Sequence, residues 1–112
     1  MIDIATLIAG YRMRDESFGP LSEPQWRMLM DIHANGSARV TAVCAASGVA
    51  ATTALRHLEM LQEEGFVTRT PDRTDRRVDI VSLTDKAEIS FAVFLDRMAR
   101  HEASRQTARK AA

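Results

Sequence analysis

The sequence is short of the residues that staple, coordinate or anchor a chain. A single cysteine, Cys44, among 112 residues excludes an intrachain disulfide framework and a cysteine-rich zinc site, and it fits a reducing compartment. His33, His57 and His101 stand too far apart in sequence to make a recognisable metal motif, so neither metal nor cofactor is expected. No apolar run approaches the roughly 20 residues that span a bilayer. At the amino end an acid, Asp3, stands where a signal peptide carries lysine or arginine, and the apolar run ends at Gly10 without a cleavage pattern. A soluble, cytoplasmic protein is the expectation. Net charge is lacking too. With 15 basic and 15 acidic residues, the global positive charge common among nucleic-acid binders is missing, and any affinity for a polyanion must come from local patches. Catalytic constellations are also absent: there is no base-flanked nucleophile, no pair of carboxylates in an apolar setting and no phosphate-cradling glycine loop, so no enzyme is expected.

What is present is a strong helical period. The length suits one domain. Ile4, Leu7, Ile8 and Tyr11 predict a short amphipathic helix over the first dozen residues, ended by a loop from Asp15 to Leu21. Ser22 with Gln25 forms a capping box and Pro24 falls in the first turn, so a helix begins there; Trp26, Leu29, Met30 and His33 mark its face and Asn35-Gly36 stops it. Ala38-Arg39-Val40 fits a small strand, and Thr41 fits an N-cap for a helix over Ala42 to Ala46. After the Ser47-Gly48-Val49 turn, Ala54, Leu58 and Leu61 place a buried stripe on a helix from Ala51 to Glu64, closed by Gly65.

Gly65 to Thr84 then reads as a β-hairpin with a charged tip, in which Val78, Ile80 and Ser82 alternate with Asp79, Val81 and Leu83. Thr84 caps a last helix with a wide apolar stripe of Ile89, Phe91, Phe94, Leu95 and Met98, and beyond Glu102 the composition predicts a frayed basic tail. Helix, turn, helix, charged hairpin is the order of a winged helix-turn-helix, a device for reading duplex DNA. The expected fold is therefore mainly α with a small β-hairpin wing. Residues 1–20 supply an N-terminal helix and loop, residues 21–85 the DNA-binding domain, and residues 86–112 the C-terminal helix and tail. Basic patches gather on the hairpin (Arg69, Arg73, Arg76, Arg77) and at the C-terminus (Arg97, Arg100, Arg105, Arg109, Lys110).

Gly65-Phe66-Val67-Thr68-Arg69, Asp72-Arg73-Thr74-Asp75-Arg76-Arg77 and Leu83-Thr84-Asp85-Lys86 resemble the recognition-helix exit, the wing and the wing-to-helix junction of MarR-type transcriptional regulators. The likeness spans roughly Leu21 to Phe94, and its most specific element is Asp75-Arg76-Arg77 between the wing strands. It implies a homodimer that sets one recognition helix in each of two successive major grooves and a wing arginine in the flanking minor groove. It also implies that Asp75 braces the wing while Arg77 reaches toward DNA, and that terminal helices build the dimer seam. Ala87 and Ala50 depart from the family's usual glycine and serine.

Arg56, on the outer face of the second helix of the motif, is a candidate for guanine, with pairing to Glu59 or Glu63 as the bland reading. Thr52 and Thr53 fit base or phosphate contact, or mere capping of the helix start. Arg73, Arg76 and Arg77 share their turn with Asp72 and Asp75, so one arginine is expected to pair internally and another to face the minor groove. Ile4, Leu7, Ile8, Tyr11, Phe91, Phe94, Leu95 and Met98 are the candidate dimer seam. Cys44 lacks a neighbouring cation in sequence and reads as a buried small hydrophobe before a redox sensor. Two other readings stand beside the DNA-binding one: a winged-helix module turned to protein interaction, and a ligand- or redox-responsive repressor whose small-molecule effector the sequence does not name.

Overall fold

The computed structural model describes residues 2–111, and of 109–111 only the backbone, so the side chains of Arg109 and Lys110 in the basic tail lie outside the described part. Two compact units divide it: Leu21–Glu88 is one, and the segments up to Pro20 and from Ile89 form the other.

Leu21–Glu88 opens with a helix, α2 (Glu23–Asn35), numbered after α1 (Ile4–Phe18) of the other unit. The capping box is complete: Ser22 Oγ accepts from the Gln25 N–H at 3.3 Å, and Gln25 Oε1 accepts from the Ser22 N–H at 3.0 Å. The buried face is Gln25, Met28, Leu29 and Ile32, not the expected Trp26, Leu29, Met30 and His33; Met30 and His33 are exposed. Both sets obey helical spacing and differ by one residue, a rotation of about 100°. The core takes the face on which Met28 and Ile32 join Leu29.

Strand β1 (Ser37–Arg39) runs straight into α3 (Val40–Ala46). Arg39, extended and paired with Ile80 of the hairpin, is the backbone N-cap of α3, so the helix starts before Thr41 and not after it. The following turn is tied by Ser47, whose hydroxyl donates to the Cys44 carbonyl at 2.6 Å and accepts from the Val49 N–H at 3.3 Å. Gly48 makes the reversal at φ +77°, where a side chain would be strained and its Cβ would lie 2.5 Å from Arg27 Nη1. Helix α4 (Ala51–Glu63) starts on Ala50 without a side-chain cap and buries the stripe Ala54, Leu58 and Leu61.

Its exit is a Schellman motif: the Phe66 N–H donates to the Leu61 carbonyl at 2.9 Å and the Gly65 N–H to that of Gln62 at 3.1 Å. The returning chain clamps this exit. Thr84 Oγ1 donates to the Gly65 carbonyl at 2.5 Å, and Lys86 Nζ donates to the Glu64 carbonyl at 2.7 Å while lying 4.4 Å over the Phe66 ring.

β2 (Val67–Pro71) and β3 (Asp79–Leu83) complete a three-stranded antiparallel sheet in the order β1-β3-β2. The register sets Val67 opposite Leu83 and Arg69 opposite Val81, which puts the buried Val67 and Val81 on one face. Of the two alternating rows of β3, the one holding Val81 is therefore the core row.

In the other unit, α1 (Ile4–Phe18) continues through the residues expected to form a loop and ends at Gly19. Long-range partners hold its last turn: the Phe18 ring meets Phe91 edge-on with centroids 4.8 Å apart, and Arg97 Nη1 donates to Glu16 Oε2 at 2.9 Å. The last helix, α5 (Asp85–Ala111), likewise runs past Glu102, where the composition predicts fraying. Arg105 there pairs with Asp3, the N-cap of α1, and donates to Thr6 Oγ1 at 2.8 Å. Alanine, arginine, glutamine and lysine are also good helix formers, so the same tail composition supports a helix once it has a partner.

Candidate nucleic-acid interface

The expected contact residues of α4 lie on its outer side. Thr52, Thr53 and Arg56 are exposed, Thr52 and Arg56 opposite the buried Ala54, Leu58 and Leu61 and Thr53 on the flank. Neither Glu59 nor Glu63 pairs with Arg56 among the described residues, so the bland reading of that arginine has no geometry behind it. The acids occupy the later turns of α4, whereas the first two turns carry two hydroxyls and a guanidinium beside the positive end of the helix dipole. A polyanion is favoured at that end only.

The wing tip is a tight, internally bonded turn. The Asp72 N–H donates to the Val78 carbonyl at 2.8 Å, the Val78 N–H to that of Asp75 at 3.0 Å, and Thr74 Oγ1 to Asp72 Oδ2 at 3.1 Å. Asp75 takes three bonds from Arg77: the backbone N–H at 3.1 Å, Nε at 3.0 Å and Nη2 at 3.2 Å. The guanidinium of Arg77 holds the Asp75 carboxyl below its ordinary range, and the backbone N–H adds to this. Arg77, which the resemblance would extend toward DNA, is thus the arginine that pairs within the wing, although its side chain is 90% exposed. Arg69 is also paired, with Asp79 at 3.1 Å. Arg73 and Arg76 are exposed and have no ion-pair partner among the described residues.

The described arginines of the C-terminal basic patch are paired as well, while the side chains of Arg109 and Lys110 lie outside the described part. Arg97 pairs with Glu16, Arg100 with Asp96 and Arg105 with Asp3. In contrast, Arg39 joins the unpaired group. It lines a cleft at the wing base with Thr41, Arg69, Arg77 and Asp79, and its charge helps to lower the Asp75 carboxyl. In the sequence, Arg39 reads only as part of a short strand. The cue was available in the adjoining Val40-Thr41, but the register that brings β1 beside the wing is not local.

The candidate seam divides. Ile4, Leu7, Ile8 and Tyr11 are 68, 51, 61 and 53% exposed, and Leu95 is 50% exposed. Phe91 is not available to a partner: at 3% exposure it is buried against Phe18. Phe94 is half-buried, and Met98 is half-buried next to Gly10. Cys44 is buried, and that burial pushes its thiol pKa up, against a smaller downward pull from Arg69. Among the described residues no group of three or more His, Cys, Asp or Glu could hold a metal ion, and no helix is long and apolar enough to cross a membrane.

Comparison with known proteins places this geometry among relatives. The MarR family model matches residues 21–78, more than half of the chain. The uncharacterized HTH-type transcriptional regulator YfiV of Bacillus subtilis (strain 168) is 31% identical over 71 residues, a match covering 63% of this chain and 44% of YfiV. The chain thus spans less than half the length of this relative. Among solved structures, the transcriptional regulator Tm0710 from Thermotoga maritima superposes with a TM-score of 0.79 at 25% identity, covering 93% of this chain and 72% of that one. RV1404 from Mycobacterium tuberculosis shares the fold, with a TM-score of 0.81 at 18% identity and coverage of 93% and 70%.

Proposed function

The chain belongs to the MarR family, a family of transcriptional regulators and not of enzymes, and from that premise we propose that it binds duplex DNA as a homodimer and so regulates transcription. In this reading residues 21–85 are the DNA-binding domain, with the first turns of α4 entering the major groove and the wing arginines Arg73 and Arg76 following the adjoining minor groove. Asp75 braces the wing through Arg77, whose side chain is 90% exposed and so can face the groove from that brace.

The carrying observation is where unpaired arginine remains. The chain is neutral overall. Yet Arg39, Arg56, Arg73 and Arg76 of the winged-helix unit have no acidic partner among the described residues, whereas in the other unit Arg97, Arg100 and Arg105 are paired and Arg12 is left unpaired. A neutral chain can attract a polyanion where several unpaired cations sit on one unit, as those four do.

A salt titration of duplex binding tests this. Wild type should lose affinity steeply as salt rises, and Arg76→Ala should flatten the slope of log K against log salt by about 0.9 for one lost phosphate contact, with little change in sequence preference. Wild type that binds no duplex at low salt would transfer the fold to protein interaction. The dimer has a separate test. Ile4, Leu7, Ile8 and Leu95 expose more apolar side chain than a monomer this small needs to leave in water. Leu95→Glu should therefore sediment as a monomer, and wild type already monomeric at tens of micromolar, on the order of a routine sizing experiment, would rule the seam out.

A further inference from the structure

Between the start of α3 and the start of α4 lies a second concavity, this one apolar, lined by Val40, Thr41, Cys44, Val49, Ala51 and Leu55. Leu55 is 39% exposed and Val49 36%, although both flank the segment whose neighbouring side chains are Thr52 and Arg56. Val40 and Thr41 also line the cleft that holds Arg39 at the wing base. The apolar groove and the cleft that holds Arg39 therefore adjoin along the first turn of α3.

A ligand that fits both must carry a small apolar group beside an anion. Duplex DNA has one such arrangement in its major groove: the thymine C5-methyl, the only apolar group that a base pair presents there, next to the phosphates of its strand. We propose that this groove reads a thymine methyl through Leu55 and Ala51, with the neighbouring phosphate in the Arg39–Thr41 cleft, so that each half-site requires a thymine in addition to any base read by Arg56. The inference rests on the duplex-binding reading and names a specificity-determining residue within it. A protein partner for the same groove would need no thymine, and the test separates the two.

The 112-residue chain is used to select duplexes from a randomised pool, and the tightest duplex is resynthesised with each thymine replaced singly by deoxyuridine, which deletes only the methyl. One replacement per half-site should weaken binding about three- to fivefold, the value of burying a single methyl group. Leu55→Ala should bind the thymine and uracil forms equally, with an affinity close to that of wild type for the uracil form. Its side chain is part-exposed at a groove, so the fold should tolerate the change. If wild type selects a duplex but no replacement matters, or if Leu55→Ala still discriminates the two forms, the thymine inference is wrong and duplex binding stands. A pool from which nothing is enriched at low salt removes both.

Discussion

Leu58→Ala should lower the unfolding free energy by about 2 to 5 kcal/mol, measured by urea denaturation at fixed protein concentration. Leu58 is fully buried, as are Ala54 and Leu61 on the same stripe of α4. Truncation loses the transfer free energy of three carbons and leaves a cavity that the Schellman exit at Gly65 and the clamp of Thr84 and Lys86 prevent α4 from collapsing into. A domain of this size commands roughly 5 to 15 kcal/mol in total, so the loss is a large share. The midpoint should fall while the denaturant slope is kept. A change below about 1 kcal/mol would mean that the stripe is not the seat of α4. The variant's DNA affinity should fall only through the fraction that is unfolded, because Leu58 itself faces away from any ligand.

Arg56→Ala should show the opposite signature. Its guanidinium is exposed and unpaired among the described residues, so stability should stay within about 0.5 kcal/mol of wild type. Duplex affinity, however, should fall by about 1 to 3 kcal/mol, with preference relaxed at one position per half-site, because a side chain bidentate to guanine carries both affinity and choice. Arg76→Ala is the internal control, since a wing contact to phosphate weakens all sequences alike. In the proposed homodimer, which would set two symmetry-related recognition helices in successive grooves, the relaxed positions should recur about 10 base pairs apart. Binding titrations on the selected duplex and on versions substituted base by base distinguish these outcomes. Equal affinity of Arg56→Ala and wild type for every version would place the base contact elsewhere, with Thr52 and Leu55 the next residues to test.

The two variants also mark a boundary between what can be read locally and what cannot. Leu58 was legible as core from Ala54 and Leu61 alone, because a three-residue stripe at helical spacing bounded by a glycine leaves one face to bury. The face of α2 was not. Trp26 and Met30 compete with Met28 and Ile32 at the same spacing, and only the surrounding elements choose between them. The ends of α1 and α5 were misread for a related reason: Asp15-Glu16-Ser17 looks like a loop, and the basic tail looks like a frayed end, until Phe91, Arg97 and Asp3 are brought beside them.

By itself the sequence determined the order of elements, the capping box at Ser22, the buried stripe of α4, the glycine exit at Gly65 and the presence of an arginine-rich wing. Each is set by interactions within a few residues along the chain, where spacing and backbone preference suffice. Only the tertiary structure decided which arginines keep their charge available. Arg77 and Arg69 are paired within the hairpin, Arg97 and Arg105 with acids more than 80 residues away in the chain, and Arg39 is brought to the wing base by strand pairing across about 40 residues. Ion pairing depends on distance in space, falling off over a few ångströms, and composition carries no information about that distance.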